Sequence, residues 1–377
     1  MKKFLAAAAA TAIVFSAASC GKKEDPTAEN AKKTIGIAMP SQKLERWNSD
    51  GESLKSEFEK AGYKVDLRFS DNDADKQNED VSNMIKDGDD LLLIAAVDGT
   101  SLSDALAGAK EKNIPVVAYD RLIMNTDALT YYVSFDNYTV GKLQGEYVRN
   151  TLHLMSATDD FNIEFVAGDA GDNNARYFFN GAYDVLKPYI DKGTLHVQSG
   201  KTTFEQVATQ SWATETAEKN MKDTLASFYK DDTKLDIVLC ANDSTALGVA
   251  NALDSDYKGG NTPIITGQDG DISNLANIVD GKQSMTVYKN VHDEANVAFS
   301  VCKMLLQDEI PTSKLAESFG DAIKVNYDSE SYNNGVKYVQ SYLLVPYVIT
   351  KDNLQLLVDT GFYKWDGDNK YLEAASN

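Results

Sequence analysis

The chain has 377 residues and a formal net charge of −20. This strong negative charge repels nucleic acid and anionic membrane surfaces, and therefore excludes both as binding partners. The length exceeds what one ordinary hydrophobic core can organise, so the sequence predicts two domains.

The N-terminus predicts an export signal over residues 1–19. Two lysines precede an apolar run from Leu5 to Ala18, which is too short for a membrane-spanning helix of about 20 residues. The following Ala17-Ala18-Ser19-Cys20 resembles the lipobox of bacterial lipoproteins, in which the cysteine is lipidated. We therefore predict an extracytoplasmic protein, in the periplasm or at the cell surface, anchored to the membrane by a lipid on Cys20. An ordinary secretory signal is the alternative. The polar residues 20–33 predict a flexible tether.

Apolar strands and amphipathic helices alternate through the rest of the chain. In the first half, strands are predicted at 34–40, 64–69, 91–96 and 114–119, and helices at 47–61, 74–86 and 101–112. In the second half, strands are predicted at 131–135, 161–167, 195–197, 235–240, 263–267 and 285–288, each followed by a helix. This alternation predicts an α/β fold with two Rossmann-like, doubly wound parallel-sheet lobes.

The chain is expected to pass between the lobes after Phe135, near Lys289 and before Tyr347, which gives a three-strand hinge. The N-terminal lobe then consists of residues 34–136 and about 290–342, and the C-terminal lobe of residues 137–289 and about 343–377.

Polar side chains follow most of the predicted strands. Because ligands bind beyond the carboxyl ends of parallel strands, these side chains are predicted to share one cleft. They are Arg46, Asp120, Arg121, Asp136, Asn137, Asn173, Asn174, Asn242, Asp269 and Lys289. Carboxylates and amides accept hydrogen bonds, and arginine and lysine donate them, so the set suits the hydroxyl groups of a neutral polyhydroxylated ligand. Trp47 and Trp212 are candidates to stack on the C–H faces of a sugar ring; ordinary packing is the alternative for Trp212.

Other chemistries lack support in the sequence. His153, His196 and His292 are scattered without metal-ligand spacing, and no phosphate-binding GxGxxG follows the first strand. The alternating oxygens of Asp71–Asp75 resemble a calcium loop, but Lys76 replaces its turn glycine. We therefore predict no metal and no cofactor. Cys240 and Cys302 lie in apolar segments and are predicted to be buried free thiols.

Eight short motifs resemble, in order, those of the periplasmic sugar-binding proteins of ABC importers, the type I periplasmic binding proteins. They are IGIAMP (35–40), LERW (44–47), AYDRLI (118–123), SFDN (134–137), DNNA (172–175), NDSTA (242–246), GQD (267–269) and MTVYK (285–289). The likeness is nearest to the xylose-binding and multiple-sugar-binding branches of the family and covers about residues 34–362. Residues 198–211 and 313–340 look longer than the family pattern.

The resemblance implies a monomeric receptor that performs no chemistry. It would close its lobes on a monosaccharide, xylose or a related aldose such as glucose or galactose, and deliver it to an ABC transporter permease. Hydrogen bonds would come from Arg46, Asp120, Arg121, Asp136, Asn137, Asn242, Asp269, Lys289 and one of Asn173 and Asn174, and stacking from Trp47 and Trp212. A chemoreceptor is a further candidate partner.

One alternative keeps the same site, and two others belong to different classes of protein. A sugar receptor used only for chemotaxis or signalling fits the same site. A secreted glycan hydrolase would need two carboxylates, for which Asp120, Asp136 and Asp269 are available, although arginine and lysine interleave them. A sugar-responsive transcription regulator of the same fold would need a basic DNA-binding headpiece, whereas this chain has an export signal and an acidic body.

Overall fold

The computed structural model describes residues 26–230 and 233–375. The predicted signal and Cys20 lie outside these residues. The first described element is a short helix, α1 (Pro26–Asn30), where the sequence predicts an irregular tether. The side-chain amide of Asn30 donates to the carbonyl of Ala61 at 2.8 Å, and the Lys33 ammonium donates to the carbonyl of Leu306. The end of the tether segment therefore lies against the folded body.

Strands and helices alternate through the first half of the described chain, as the hydrophobic pattern predicts. Strands β1 to β5 are Thr34–Met39, Lys64–Phe69, Leu91–Ile94, Val116–Tyr119 and Leu129–Phe135. Helices α2 to α5 are Glu45–Lys60, Ala74–Asp87, Ser103–Glu111 and Asn137–Thr151.

The second half repeats the alternation and ends in an irregular tail. Strands β6 to β11 are Phe161–Val166, Leu195–His196, Ile237–Cys240, Ile264–Ile265, Gln268–Asp269 and Thr286–Tyr288. Helices α6 to α11 are Asn173–Lys192, Phe204–Val207, Thr214–Phe228, Asp243–Asp256, Ile272–Asp280 and Val291–Leu306. The tail contains α12 (Ser313–Ser318), β12 (Val325–Asp328), β13 (Ser341–Leu344), β14 (Tyr347–Ile349), α13 (Gln355–Asp359), β15 (Tyr363–Trp365) and β16 (Leu372–Ala374).

A seven-stranded sheet forms the N-terminal lobe, in the order β12-β13-β5-β4-β3-β1-β2. Its central strands are buried on both faces, as their continuous apolar runs predict; every residue of Leu91–Ile94 is fully buried. Helix α11 packs against α2 and completes this core with Ala298 and Val301. The chain therefore returns to the first lobe after β11.

The C-terminal lobe contains a parallel sheet, β7-β6-β8-β9, and an adjoining sheet, β10-β11-β14. The sequence predicts one strand over residues 263–267, but the structure has two short strands, β9 and β10. The chain changes neighbour between them, because β9 pairs with β8 and β10 pairs with β11. The change from one neighbouring strand to the other occurs at Thr266 and Gly267.

The predicted α/β fold class is confirmed, with two edge strands that run against the parallel direction. Strand β12 is antiparallel to β13, and β14 is antiparallel to β11. Both pairs involve the tail: β12 and β13 lie within it, whereas β14 returns to β11, and β13 also pairs in parallel with the much earlier β5. The chain leaves the seven-stranded sheet after β5, returns to its core with α11 after β11, and leaves the sheet again between β13 and β14.

Residues 313–340 add material to the N-terminal lobe rather than a separate unit. They form α12, β12 and a loop in which Asn334 is fully buried. The Asn334 amide donates to the carbonyls of Ile123 and Thr126 at 3.3 and 2.7 Å. This loop therefore braces the segment that follows β4.

Cys240 and Cys302 are buried free thiols, as predicted. Within residues 26–230 and 233–375, no helix combines the length and the apolar character needed to cross a membrane.

Helices α5 and α6 pack closely because glycine lies at their contact. A Cβ added to Gly141 would lie 1.9 Å from the carbonyl oxygen of Phe178, which is backbone and cannot turn away. We expect Gly141→Ala to lower the free energy of unfolding by about 1–3 kcal/mol or more, since overpacking forces the helices apart.

Gly108→Ala is the matched control, because Gly108 is also helical and its added Cβ would meet only Ile85 at 3.6 Å. There we expect no loss, and a gain of up to about 1 kcal/mol from helix propensity. Urea denaturation measures the free energy of unfolding of both variants. Equal values for Gly141→Ala and Gly108→Ala would contradict the close packing of α5 and α6.

Candidate functional site

Asp120 is held in an unusual backbone conformation at the end of β4. Its φ is 54°, in the left-handed region that costs a non-glycine residue free energy. Its carbonyl oxygen accepts three hydrogen bonds, from the Tyr132 hydroxyl (2.7 Å), the Ser134 hydroxyl (2.8 Å) and the Asn174 amide (2.6 Å). Asn174 belongs to the C-terminal lobe, so both lobes fix this one peptide.

A second layer supports these donors. The Asn137 amide donates to the hydroxyls of Tyr132 and Ser134 at 3.1 and 3.3 Å. The Tyr132 hydroxyl also lies 3.1 Å from the Asn174 side-chain oxygen. Asn137 and Asn174 therefore support Asp120 from behind, and both are buried, with exposures of 0% and 1%.

Arg46, in the first turn of α2, is the centre of a buried charge network. Its Nε lies 2.9 Å from Asp50, and its Nη2 lies 2.8 Å from both Asp120 and Glu294. Its Nη1 lies 3.0 Å from Asp269, which belongs to the C-terminal lobe. Only 7% of the Arg46 side chain is exposed. One guanidinium thus joins four carboxylates and bridges the lobes.

Lys289 lies where the chain passes between the lobes and is 2% exposed. Its ammonium lies 2.6 Å from Asp120 Oδ1. The ammonium also lies 5.2 Å from the centre of the Phe135 ring and 5.8 Å from that of Phe178. Asp120 therefore receives two cations, one from each side of the cleft.

Arg121 makes a second bridge between the lobes. Its Nε lies 2.9 Å from Asp172 of the C-terminal lobe, and its Nη1 donates to the carbonyl of Ala96 at 3.0 Å. The guanidinium lies 4.9 Å from the centre of the Trp47 ring, within cation–π distance. These contacts fix the plane of the Arg121 fork at the edge of the cleft.

The C-terminal lobe holds Asp269 by its backbone. Asp269 has a φ of 110°, and the carboxylate of Asp243 accepts the backbone N–H groups of Gly270 and Asp271 at 2.9 and 3.0 Å. Asp243 is fully buried, and burial raises its pKa to about 7. The Asn242 amide reaches the Asp269 carboxylate at 3.4 Å. The turn that presents Asp269 is therefore built by the first residues of α9.

These residues surround a cavity of about 30 Å³ between the lobes. It is lined by Leu44, Arg46, Trp47, Asp120, Arg121, Asp172, Phe178, Trp212, Asn242, Ser244, Gln268, Asp269 and Lys289. The space suffices for one or two water molecules. The polar groups of the two lobes satisfy one another here, so the structure shows the cleft in a closed arrangement.

Trp47 and Trp212 come from different lobes, and both are 4% exposed. The Trp212 ring packs so closely on Gly168 that a Cβ there would come within 1.9 Å of it. Phe178 meets it edge-on, with ring centres 6.2 Å apart. The Trp212 Nε1 and the Gln268 Oε1 are buried and have no hydrogen-bond partner among the described residues. The cavity wall thus contains one hydrogen-bond donor and one hydrogen-bond acceptor that are available to a ligand.

Eight of the residues predicted from sequence line this cavity: Arg46, Trp47, Asp120, Arg121, Trp212, Asn242, Asp269 and Lys289. Four do not. Asp136 caps helix α5, accepting the backbone N–H and the hydroxyl of Thr139 at 3.0 and 2.7 Å. Asn173 lies in the first turn of α6, outside the lining, and Asn137 and Asn174 lie behind Asp120.

Five lining residues were not predicted. Asp172 and Gln268 stand directly beside predicted positions, so the motifs that contain them were a usable signal. Phe178 lies four residues after Asn174, and helical spacing alone would place it on the same side of α6. Leu44 and Ser244 also lie within the motifs LERW and NDSTA, each two positions from a predicted site residue.

The buried network carries more negative than positive charge. Burial opposes ionisation of Asp120, but Arg46 and Lys289 outweigh it and hold its pKa well below the usual range. Burial, reinforced by Asp120, raises the pKa of Glu294 well above its ordinary value. Burial also raises the pKa values of Asp50 and Asp172 despite their arginine partners. We infer that Asp120 is ionised, whereas the raised pKa of Glu294 favours its protonated form and so reduces the excess of negative charge around Arg46.

Within the part of the chain that the structure describes, no histidine, cysteine and carboxylate cluster is arranged to hold a metal ion.

Comparison with known proteins gives a consistent result. Residues 35–310 match the family described as periplasmic binding protein domain. The multiple sugar-binding periplasmic receptor ChvE of Rhizobium radiobacter is 40% identical over 339 residues, covering 89% of this chain and 92% of the receptor. The D-xylose-binding periplasmic protein of Escherichia coli K12 is 33% identical, covering 89% and 93%.

A solved structure is also similar. It is an ABC transporter solute binding protein from Clostridium phytofermentans with bound β-D-glucose, with a TM-score of 0.83 and 48% identity. The match covers 89% of this chain and 99% of that one.

Glu294 provides a test of the charge network. Glu294→Gln keeps the shape and an acceptor for Arg46, so we expect the free energy of unfolding at pH 7 to stay within about 1 kcal/mol of the wild type. Glu294→Ala removes a partner of a buried guanidinium and leaves a cavity, so we expect a loss of about 3 kcal/mol or more. Urea denaturation measures both.

The wild type and Glu294→Gln should also differ in how the free energy of unfolding depends on pH. Because the folded chain binds the Glu294 proton more tightly than the unfolded chain, the contribution of Glu294 to wild-type stability falls as the pH rises above 4.5, the ordinary pKa of this group. Glu294→Gln lacks this component, so its stability relative to wild type should increase from pH 4.5 to pH 8. A difference that stays constant would show that Glu294 is ionised throughout.

Proposed function

The chain belongs to the periplasmic binding protein family, and we propose that it captures a neutral monosaccharide between its two lobes. The observation that carries this proposal is the balanced set of charges in the cavity wall. Arg46, Arg121 and Lys289 are matched there by Asp120, Asp172 and Asp269. A wall without net charge favours a neutral ligand, and its alternating acceptors and donors suit hydroxyl groups.

The relatives support the choice of sugar. One similar protein is named for D-xylose and another for multiple sugars, and a similar structure contains β-D-glucose. We therefore propose an aldose, either xylose or a related sugar such as glucose or galactose. Trp47 and Trp212 would cover the apolar faces of the ring, and Asp120 and Arg121 would bind its hydroxyls.

Binding and closure are coupled in this proposal. The cavity leaves little free space between the lobes, and in this proposal sugar hydroxyls take the place of contacts that the lobes now make with each other. Two such contacts join residues of the cavity wall: Arg46–Asp269 and Lys289–Asp120, at 3.0 and 2.6 Å. Sugar hydroxyls would take over these charged partners. A ligand that touches both lobes only when they are closed shifts the population towards closure.

The three carboxylates that the sequence offers for hydrolysis, Asp120, Asp136 and Asp269, favour binding instead. A glycoside hydrolase needs one carboxyl group that gives up a proton near neutral pH. Arg46 and Lys289 keep Asp120 ionised, and Asp136 is occupied in capping a helix. Asp269 is paired with Arg46. These carboxylates serve as fixed acceptors.

The same proposal includes delivery of the sugar to an ABC transporter permease by a monomer in the extracytoplasmic space. A lipid anchor on Cys20 would hold the protein at the membrane. A chemoreceptor would be a second partner that binds the closed form. The likeness to a solute-binding protein of an ABC transporter supports the permease as partner.

Asp120→Asn tests the site without disturbing the backbone, because asparagine tolerates the left-handed conformation at least as well as aspartate. We expect the affinity for D-xylose or D-glucose, whichever the wild type binds, to fall by about 10- to 100-fold or more, since charge-assisted hydrogen bonds to the sugar are lost. Isothermal titration calorimetry measures the change.

Asp136→Asn is the matched control, because Asp136 follows the neighbouring strand and asparagine is an equally good helix cap. Its affinity should remain within about threefold of the wild type. If Asp120→Asn binds sugar as tightly as Asp136→Asn does, the assigned site is incorrect.

A further inference from the structure

Two stretches, one from each lobe, line a second cavity beside the monosaccharide site, which uses only Trp212 from them. One is the Asp71–Asp73 turn of the N-terminal lobe, and the other is the segment after β7, which forms α7 and a 3-10 turn at Gln210–Trp212. Asn72 and Gln210 line the same cavity, which has a volume of about 430 Å³. We call it the mouth cavity. Its size lies within the range of about 300–1,000 Å³ that is typical of small-molecule sites.

The mouth cavity adjoins the monosaccharide site. Arg121 and Trp212 line both, so one layer of side chains separates the two spaces. The Trp212 Nε1 in this shared wall is buried and without a hydrogen-bond partner among the described residues. Nearby, the backbone N–H of Gly99 donates to the carbonyl of Gly171 at 3.1 Å, which joins the two lobes. The mouth cavity is therefore part of the closed form.

The walls of the mouth cavity combine polar and apolar groups. Asp98 uses only its Oδ1, which accepts the N–H and the hydroxyl of Thr100 at 2.7 Å each; its other oxygen accepts no hydrogen bond from the described residues. Asp169 accepts the backbone N–H groups of Gly171 and Ser211 and so holds the wall in place. Val97 and Ala208 add apolar surface.

This chemistry suits a hydroxylated ring better than an anionic group. The two carboxylates repel anions, and Arg121 is already paired with Asp172 at 2.9 Å. Carboxylate and amide oxygens accept hydrogen bonds from hydroxyls, while the apolar patches cover C–H faces.

We propose that the mouth cavity binds a second neutral sugar unit joined to the monosaccharide, so that the protein accepts disaccharides as well as monosaccharides. The proposal rests on the proposed function. The first ring would occupy the inner site, and the glycosidic bond would pass between Arg121 and Trp212. The long segment after β7 would then serve to build the wall of the second subsite.

Calorimetric titration with D-glucose, maltose, cellobiose and isomaltose tests this proposal on the wild type. At least one disaccharide should bind. Ala208→Phe fills the mouth cavity with a ring and leaves the inner lining unchanged, so we expect it to weaken that disaccharide at least tenfold and to change D-glucose affinity less than twofold. Ala208→Ser is the matched control and should change neither.

A second variant separates hydrogen bonding from steric blocking. Gln210 is exposed, and Gln210→Ala should weaken the disaccharide about three- to tenfold and leave D-glucose unchanged. Thermal unfolding of each variant verifies that it is folded.

The failures are distinguishable. If D-glucose binds and none of the disaccharides does, the second subsite is absent while the proposed function stands. If Ala208→Phe weakens D-glucose and the disaccharide equally, or neither, the mouth cavity does not hold the second ring. If the wild type binds no monosaccharide in a wider panel that includes D-xylose, D-galactose and L-arabinose, the proposed function itself fails.

Discussion

A guanidinium cannot give up its proton, so burying Arg46 obliges the chain to bring carboxylates to it. Four do so, from α2 itself, from the end of β4, from α11 and from β10 of the other lobe. Because these segments are far apart in sequence, satisfying one side chain fixes how α2, β4 and α11 pack together. It also fixes how closely the lobes approach. The left-handed backbone of Asp120, held by three hydrogen bonds to its carbonyl oxygen, directs one of these carboxylates towards Arg46.

The network is costly unless its charges are matched, and this explains how a ligand can control closure. Removing Arg46 or Asp269 from water is repaid only when partners replace the water. The closed form supplies those partners from the opposite lobe. A sugar with hydroxyls at the right positions can supply them as well, and it adds contacts with both tryptophans. The energy available for closing therefore depends on how completely the ligand replaces the pairs it displaces, which is also the basis for distinguishing epimers.

The sequence predicted the architecture and the centre of the site because both follow from simple rules. Buried strands such as Leu91–Ile94 are continuous apolar runs, and residues after parallel strands, such as Asp120 and Asp269, point to one cleft. Asp136 is a residue for which these rules were not sufficient, because it follows a strand but caps helix α5. The same residue types bind ligands and cap helices, and only the three-dimensional turn decides between them. The antiparallel pairing of β14 with β11 was not predictable either, because it joins the tail to a strand that lies about 60 residues earlier in the sequence.

The most direct test of the account is a crystal structure of the protein with D-glucose or D-xylose. We expect one pyranose between Trp47 and Trp212, with hydroxyls within hydrogen-bond distance of the Asp120 carboxylate and the Arg121 guanidinium. We also expect a sugar hydroxyl in place of at least one of the contacts Arg46–Asp269 and Lys289–Asp120. A sugar bound elsewhere, or bound between the lobes with both contacts intact, would contradict the account.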